Sequence, residues 1–264
     1  MFNLVKMDIR HLFKSRDFYI TLAVTAALLL MVVFLVAAVS SPDTLEAMEA
    51  QGAEINEADL GMSEEIRNMS FLDFTYECLS SGFLLIMSGI GMTIFASRDF
   101  YSGYIKNICF ARPCRRDYVF SKLLLAGVFS GCVVIVGVLF SLGSPLLFGL
   151  RPAASPVLDI LRYGIRLWLL SWAFSLMALS LVALTRNSVL GIVLSVLSGG
   201  GVIAQFLQIV CQTFHWPDLW QYLLSGAART VAPGTGGFTV LCCCVGWAAL
   251  YTVGSLLAME KQDI

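Results

Sequence analysis

Charge is scarce in this sequence. Only 13% of its 264 residues are Asp, Glu, Lys or Arg and 58% are apolar, against about 25% and about 45–50% in ordinary soluble domains. Mean hydropathy is +0.81. A soluble core of this size cannot hide so much apolar surface, whereas a bilayer can. Histidine occurs twice, as His11 and His215, and neither has partners at metal-ligand spacing. No G-x-x-x-x-G-K-[ST], H-E-x-x-H or G-x-S-x-G occurs, so the chain has no Walker loop and no recognised hydrolase or metalloprotease motif of its own. A net charge of −1 lacks the basic footprint of a nucleic-acid binder.

A cysteine framework is also missing. Of the eight cysteines, most lie in apolar runs, where they behave as small hydrophobic side chains. Cys109 and Cys114 lie on a polar stretch with no nearby histidine, and Cys242–Cys244 point around three sides of a helix. No disulfide set and no zinc site is expected.

What is present is a series of uncharged apolar runs of about 20 residues, the length that crosses a hydrocarbon core. There are six, at Phe18–Val39, Leu79–Ala96, Leu123–Leu142, Ile165–Leu184, Val189–Thr213 and Phe238–Met259, and only Arg166, at a span's end, adds a charge. Phe18–Val39 is long enough to span, and no cleavage site follows a short apolar core, so no cleavable leader is expected. The expected fold is all-α, a polytopic membrane protein of six transmembrane helices forming one domain over residues 1–264. Ser198-Gly199-Gly200-Gly201 in the fifth run are small enough to break the helix or admit a close neighbour. Gly143-Ser144-Pro145 are expected to end or kink the third.

Sign is segregated along the chain. With the N-terminus inside, residues 1–17, 97–122, 185–188 and 260–264 hold 12 of the 17 basic residues, and the outer pieces hold 12 of the 18 acidic ones. That distribution follows the positive-inside rule, and six spans return the C-terminus to the cytoplasm. Ser97–Lys122 has the strongest bias: Arg98, Lys106, Arg112, Arg115, Arg116 and Lys122 stand against Asp99 and Asp117, and they are expected to form a cytoplasmic basic flank.

The remaining polar pieces are read as follows. Residues 1–17 place Phe2, Val5, Ile9, Leu12 and Phe13 at helical spacing, which predicts an amphipathic helix in the inner interface. Ser40–Glu77 carries ten acidic residues against Arg67 alone, with no EF-hand spacing, and suits a solvated acidic loop or short helix. Asn68-Met69-Ser70 matches a glycosylation sequon, meaningful only in a secretory pathway. Pro156–Arg166 is expected to form a short interfacial helix. Phe214–Gly237, with Trp216, Trp220 and Tyr222, is expected to form one or two short helices at headgroup depth.

No run carries a titratable group at its middle, where proton-coupled transporters keep one. If the chain moves something, energy comes from another polypeptide gripped on the cytoplasmic face. Within 97–122, Gly103 turns the chain, and Tyr104, Ile105 and Ile108 offer apolar anchors at i, i+1 and i+4, a short helix suited to a groove on a partner.

That segment resembles a known family. An Asp before Gly103-Tyr104-Ile105-Lys106-Asn107, then Arg112-Pro113, Arg115-Arg116-Asp117-Tyr118 and Ser121-Lys122-Leu123, is similar to the membrane subunits of type-2 ABC exporters, among them the bacterial antibiotic-peptide export and immunity permeases. The resemblance implies a permease in the bacterial plasma membrane, working with a second permease, identical or a sister chain, and with cytosolic ABC ATPase subunits that bind the ATP and Mg; the chain itself would hold no cofactor and no catalytic residue. It implies that residues 1–17 are an elbow helix, that Gly103, Tyr104, Ile105, Lys106, Asn107, Ile108 and Phe110 belong to the coupling helix docking on the ATPase, and that 214–237 lies near the exit. An amphipathic peptide, antibiotic or lipid is the expected substrate. The alternatives are a scaffold or sensor subunit coupled to such an ATPase, and a membrane enzyme using Asp99, Arg112 and Asp117 at the inner face.

Overall fold

The computed structural model of the chain describes residues 2–40, 69–101, 112–147, 153–230 and 237–261. Among these residues the fold is helical, and the one extended contact is an isolated parallel bridge between Ser70 and Ala153. The helices are α1 (Phe2–Lys14), α2 (Arg16–Ser40), α3 (Phe71–Ser80), α4 (Phe83–Tyr101), α5 (Arg112–Leu147), α6 (Val157–Thr185), α7 (Ser188–Gly199), α8 (Val202–Phe214), a 3₁₀ turn (Leu219–Tyr222), α9 (Leu224–Thr230) and α10 (Gly237–Lys261). Five helices are long and apolar enough to cross a membrane, and six spans result if α7 and α8, bent by 53° to one another, count as one.

The core gathers on α4, α5 and α6. Leu84, Leu85 and Met92 of α4, Leu125, Phe129 and Val133 of α5, and Leu170, Phe174 and Val182 of α6 are all buried in one cluster. α2 and α10 flank it, adding Phe18, Leu29 and Val33 and Val240 and Cys244 to the cluster, while most of the residues of both spans stay outside the buried interior.

Small residues set the closest approaches. Gly89 and Thr93 of α4 meet Ser195 and Gly191 of α7, each hydroxyl-bearing residue lying against the other helix's glycine. The pairing is antiparallel, and a side chain at either glycine would collide with its neighbour. On the other flank of the bundle the indole N–H groups of Trp168 and Trp172 donate to the carbonyls of Gly127 (2.9 Å) and Leu123 (3.0 Å) on α5, while the two rings stack 6.1 Å apart. The glycines at 127 and 131 leave room for those rings.

Several sequence expectations are corrected. The second apolar run does not begin a continuous helix at Leu79. Ser81 and Gly82 separate α3 from α4, with Gly82 at φ +76°, a conformation that suits glycine. Residues 71–77, read as part of the acidic outer loop, belong to α3, whose Phe74, Thr75, Cys78 and Leu79 are buried. α3 starts at an N-cap, where Ser70 Oγ accepts from the Asp73 amide at 3.2 Å and donates to its carboxylate at 2.6 Å, satisfying an otherwise orphaned donor of the first turn. The rest of the acidic loop lies outside the described residues.

α5 begins at Arg112, three turns before the expected span, because Pro113 falls in its first turn, where a missing N–H costs nothing. It also runs through Pro145 to Leu147, so Gly143-Ser144-Pro145 do not end it. The short helix expected at Pro156–Arg166 is the start of the continuous α6. Gly164, the sole weak helix former there, costs only about 1 kcal/mol relative to Ala, too little to end it. The fifth run does break: Gly201 at φ +77° separates α7 from α8, and Ile86 of α4 approaches Gly199 closely at that point. In 214–237 the 3₁₀ turn and α9 are both present, with the Trp247 indole donating to the Tyr222 carbonyl at 2.6 Å.

Candidate functional site: a buried ion cluster joining α1, α4 and α5

α4 ends at Tyr101 and α5 starts at Arg112, so the two helices are the limbs of the connection that the sequence singles out. Gly103, Tyr104, Ile105, Lys106, Asn107, Ile108 and Phe110 lie in that connection, outside the described residues. The base on which it stands is described, and it is built around Lys122.

Lys122 sits on α5 one turn beyond Tyr118, on the helix face that also carries Leu125 and Ala126. All four side chains are buried. A lysine on that face must bring its charge inside, and an isolated buried ammonium is strongly disfavoured. Two carboxylates compensate it. Its Nζ lies 2.6 Å from Asp99 Oδ2 of α4 and 3.2 Å from Asp8 Oδ1 of α1, with the lysine side chain 0% exposed. Each carboxylate has a further donor: the Tyr118 hydroxyl to Asp99 Oδ2 at 3.1 Å and the Ser121 hydroxyl to Asp8 Oδ2 at 2.6 Å. The ammonium also lies over the Phe95 and Tyr118 rings, 5.0 and 5.2 Å from their centroids, within cation–π range.

Three helices are tied at one point. α1 reaches it because Leu12 and Asp8 share its buried face, and His11 packs edge-on against Phe95, centroids 5.8 Å apart. Ser15 ends α1, its hydroxyl donating to the Leu12 carbonyl (2.9 Å) and accepting from the Phe18 amide (3.3 Å), so the chain turns from α1 directly into α2. A second tie lies nearer solvent, where Arg98 donates to Asp17 at 2.8 Å. A buried, fully hydrogen-bonded ion network holds its members in one arrangement, because separating a partner leaves a charge uncompensated. The ends of α4 and α5 that flank residues 102–111 are thus joined to α1 through Asp99 and Lys122.

This arrangement changes the meaning of the basic flank. Arg98 and Arg116 are exposed, and Arg112 and Arg115 belong to the first turn of α5. Lys122 is not part of a solvated flank: it is inside the bundle. Sequence reasoning passed over Asp8, and it weighed Asp99 only as an acid of the basic flank and as a candidate catalytic group, not as a partner of Lys122. Their signal was a single acid on an otherwise apolar helix face: Asp8 among Val5, Ile9 and Leu12, and Asp99 one turn after Phe95.

Two grooves elsewhere among the described residues are apolar. One groove of about 630 Å³ lies between α5 and α6, floored by Gly127, Gly131 and Gly164. Another of about 530 Å³ lies between α5, α6 and α10 and runs from Leu241 to Leu256. No group of three or more His, Cys, Asp or Glu side chains among the described residues is placed to hold a metal ion. No family model and no curated protein matches the chain.

Proposed function

We propose that this chain is the permease subunit of an ATP-binding cassette exporter, embedded in a membrane through six spans with both termini on the cytoplasmic side, and driven by ATP hydrolysed on a separate cytosolic subunit. The observation that carries this reading is the Lys122–Asp99–Asp8 cluster. A docking segment at 102–111 can drive a membrane bundle only if its limbs are rigidly joined to the helices that must move, and the cluster joins both limbs to each other and to α1. The segregation of basic residues to one set of loops orients the spans, with the bent α7–α8 pair as the fifth.

The uncharged centres of the apolar runs leave no carboxylate or lysine at mid-membrane to carry a coupling proton, which favours an external motor. The membrane-enzyme reading is weakened because Asp99 is committed to a buried ammonium and is out of reach of a substrate. The apolar grooves between α5, α6 and α10 favour an amphipathic cargo such as a peptide or lipid.

The test is transport by inverted vesicles holding this chain with its ATPase. ATP-dependent accumulation of a labelled amphipathic peptide or lipid is the expected result. ATP hydrolysis that responds to ligand but moves nothing would assign the chain instead to signalling.

A further inference from the structure

The N-terminal helix presents to solvent a face different from the one its apolar residues suggest. Asp8 and Leu12 are buried against the bundle, and Val5 and Ile9 beside them are half-buried, so this side of α1 faces protein. Lys6, Arg10 and Lys14 recur at i, i+4 and i+8 on the opposite side, all exposed, and form one cationic stripe about 12 Å long at 1.5 Å per residue. Met7 (45% exposed) and Phe13 (44%) flank it on its two edges. The single acid of α1, Asp8, is turned inward to Lys122, so the helix's own outer face has no carboxylate to neutralise the stripe.

The position of the stripe identifies what it meets. Phe13 packs edge-on against Phe18, centroids 5.3 Å apart, and Phe18 against Tyr19 at 5.2 Å. Tyr19 and Ile20 begin the exposed apolar surface of α2. Across the buried Phe18 the apolar edge of the stripe is thus joined to the exposed Tyr19 and Ile20, the start of the surface that α2 turns to acyl chains in the proposed placement, and the three cations stand beside that junction. A basic helix face bordered by apolar side chains is the form that binds an anionic lipid surface. Resting on the proposed membrane placement of α2, we infer that the Lys6–Arg10–Lys14 face of α1 binds anionic phospholipid headgroups of the inner leaflet, seating α1 on lipid on one side while Asp8 holds it to the ion cluster on the other. The occupancy of those headgroups then bears on the same node that joins the limbs of the 102–111 connection.

The experiment uses the full chain alone, without an ATPase, in mixed bilayers containing spin-labelled phosphatidylglycerol or phosphatidylcholine. Each cation near an anionic surface strengthens association by on the order of fivefold. The wild-type chain is expected to select the anionic label, and Lys6→Gln/Arg10→Gln/Lys14→Gln to select it several-fold less with an unchanged unfolding temperature. Raising salt from about 0.05 to about 0.5 M, which shortens the screening length severalfold, is expected to narrow the difference. Equal selectivity in wild type and variant overturns the inference. Absence of any immobilised lipid label, anionic or zwitterionic, would instead remove the membrane reading beneath it.

Discussion

The carbonyl of Gly199 occupies the space that a Cβ on Gly82 would need. The break between α3 and α4 is thereby seated against the end of α7, next to the break at Gly200 and Gly201. Two interruptions far apart in sequence form one contact, and neither position has room for another residue.

Gly82→Ala is therefore expected to be destabilising by about 2 kcal/mol or more, since it adds an unfavourable positive φ to a backbone collision. Gly164→Ala, on a helix and with nothing near its added carbon, is expected to be neutral or to stabilise by about 0.5–1 kcal/mol. Thermal unfolding of the two variants in detergent checks the pair, and equal effects would show that the Gly82–Gly199 contact is not tight.

Lys122→Met is expected to cost about 3–5 kcal/mol, the range for removing one partner from a buried ion pair, because Asp8 and Asp99 are left facing each other without a cation. Adding Asp8→Asn and Asp99→Asn to Lys122→Met is expected to restore a large part of that loss, as replacement of a whole buried network is often close to neutral. Transport is expected to stay impaired in the restored protein, because the joint between the limbs of the connection is gone. Denaturation and vesicle transport measured on the same variants separate the two effects.

Burial, and secondarily the Glu77 charge, raise the Cys78 thiol from an ordinary 9.0 to about 12. Near pH 8 the thiolate, the reactive form, falls to about one part in ten thousand, against about one in ten for an unshifted thiol. Cys78 is expected to resist a water-soluble maleimide in the folded chain and to react after denaturation. The raised value means that the folded state keeps its proton while the unfolded state loses it, so this group's contribution to stability is intact below about pH 9 and declines from there towards pH 12. Peptide mapping after labelling reads the outcome; prompt modification of folded Cys78 would mean that α3 does not pack as described.

Orientation has its own test. A cysteine introduced at Glu57 is expected to react with an impermeant reagent from outside intact cells, and Cys114 only after permeabilisation. The opposite pattern would invert every loop assignment.

Much of the helical layout was legible because apolar runs bounded by charge are strong signals, and the small-residue run at 198–201 marked the bend in advance. Less visible were the places where one residue decides a boundary. Pro113 looks like a loop residue beside Arg112, yet it falls in the first turn of α5, which places Lys122 well inside that helix rather than at the edge of a span. Gly82 follows Ser80 and Ser81, a turn signal that is easily absorbed into the apolar run around it, and its contact with Gly199 is invisible in the sequence. The ion cluster was hidden for a different reason: Asp8, Asp99 and Lys122 are far apart in sequence, and positive-inside counting treats each lysine as solvated. Single charges on apolar faces were the available clue.

The proposed function has residues 102–111 grip an ATPase. Co-purification of the chain with its ATPase subunit, compared among wild type, Tyr104→Asp and Ile105→Asp at equal membrane insertion, tests it directly. The account expects the ATPase to be retained by the wild type and lost from both variants; full retention by both would contradict it.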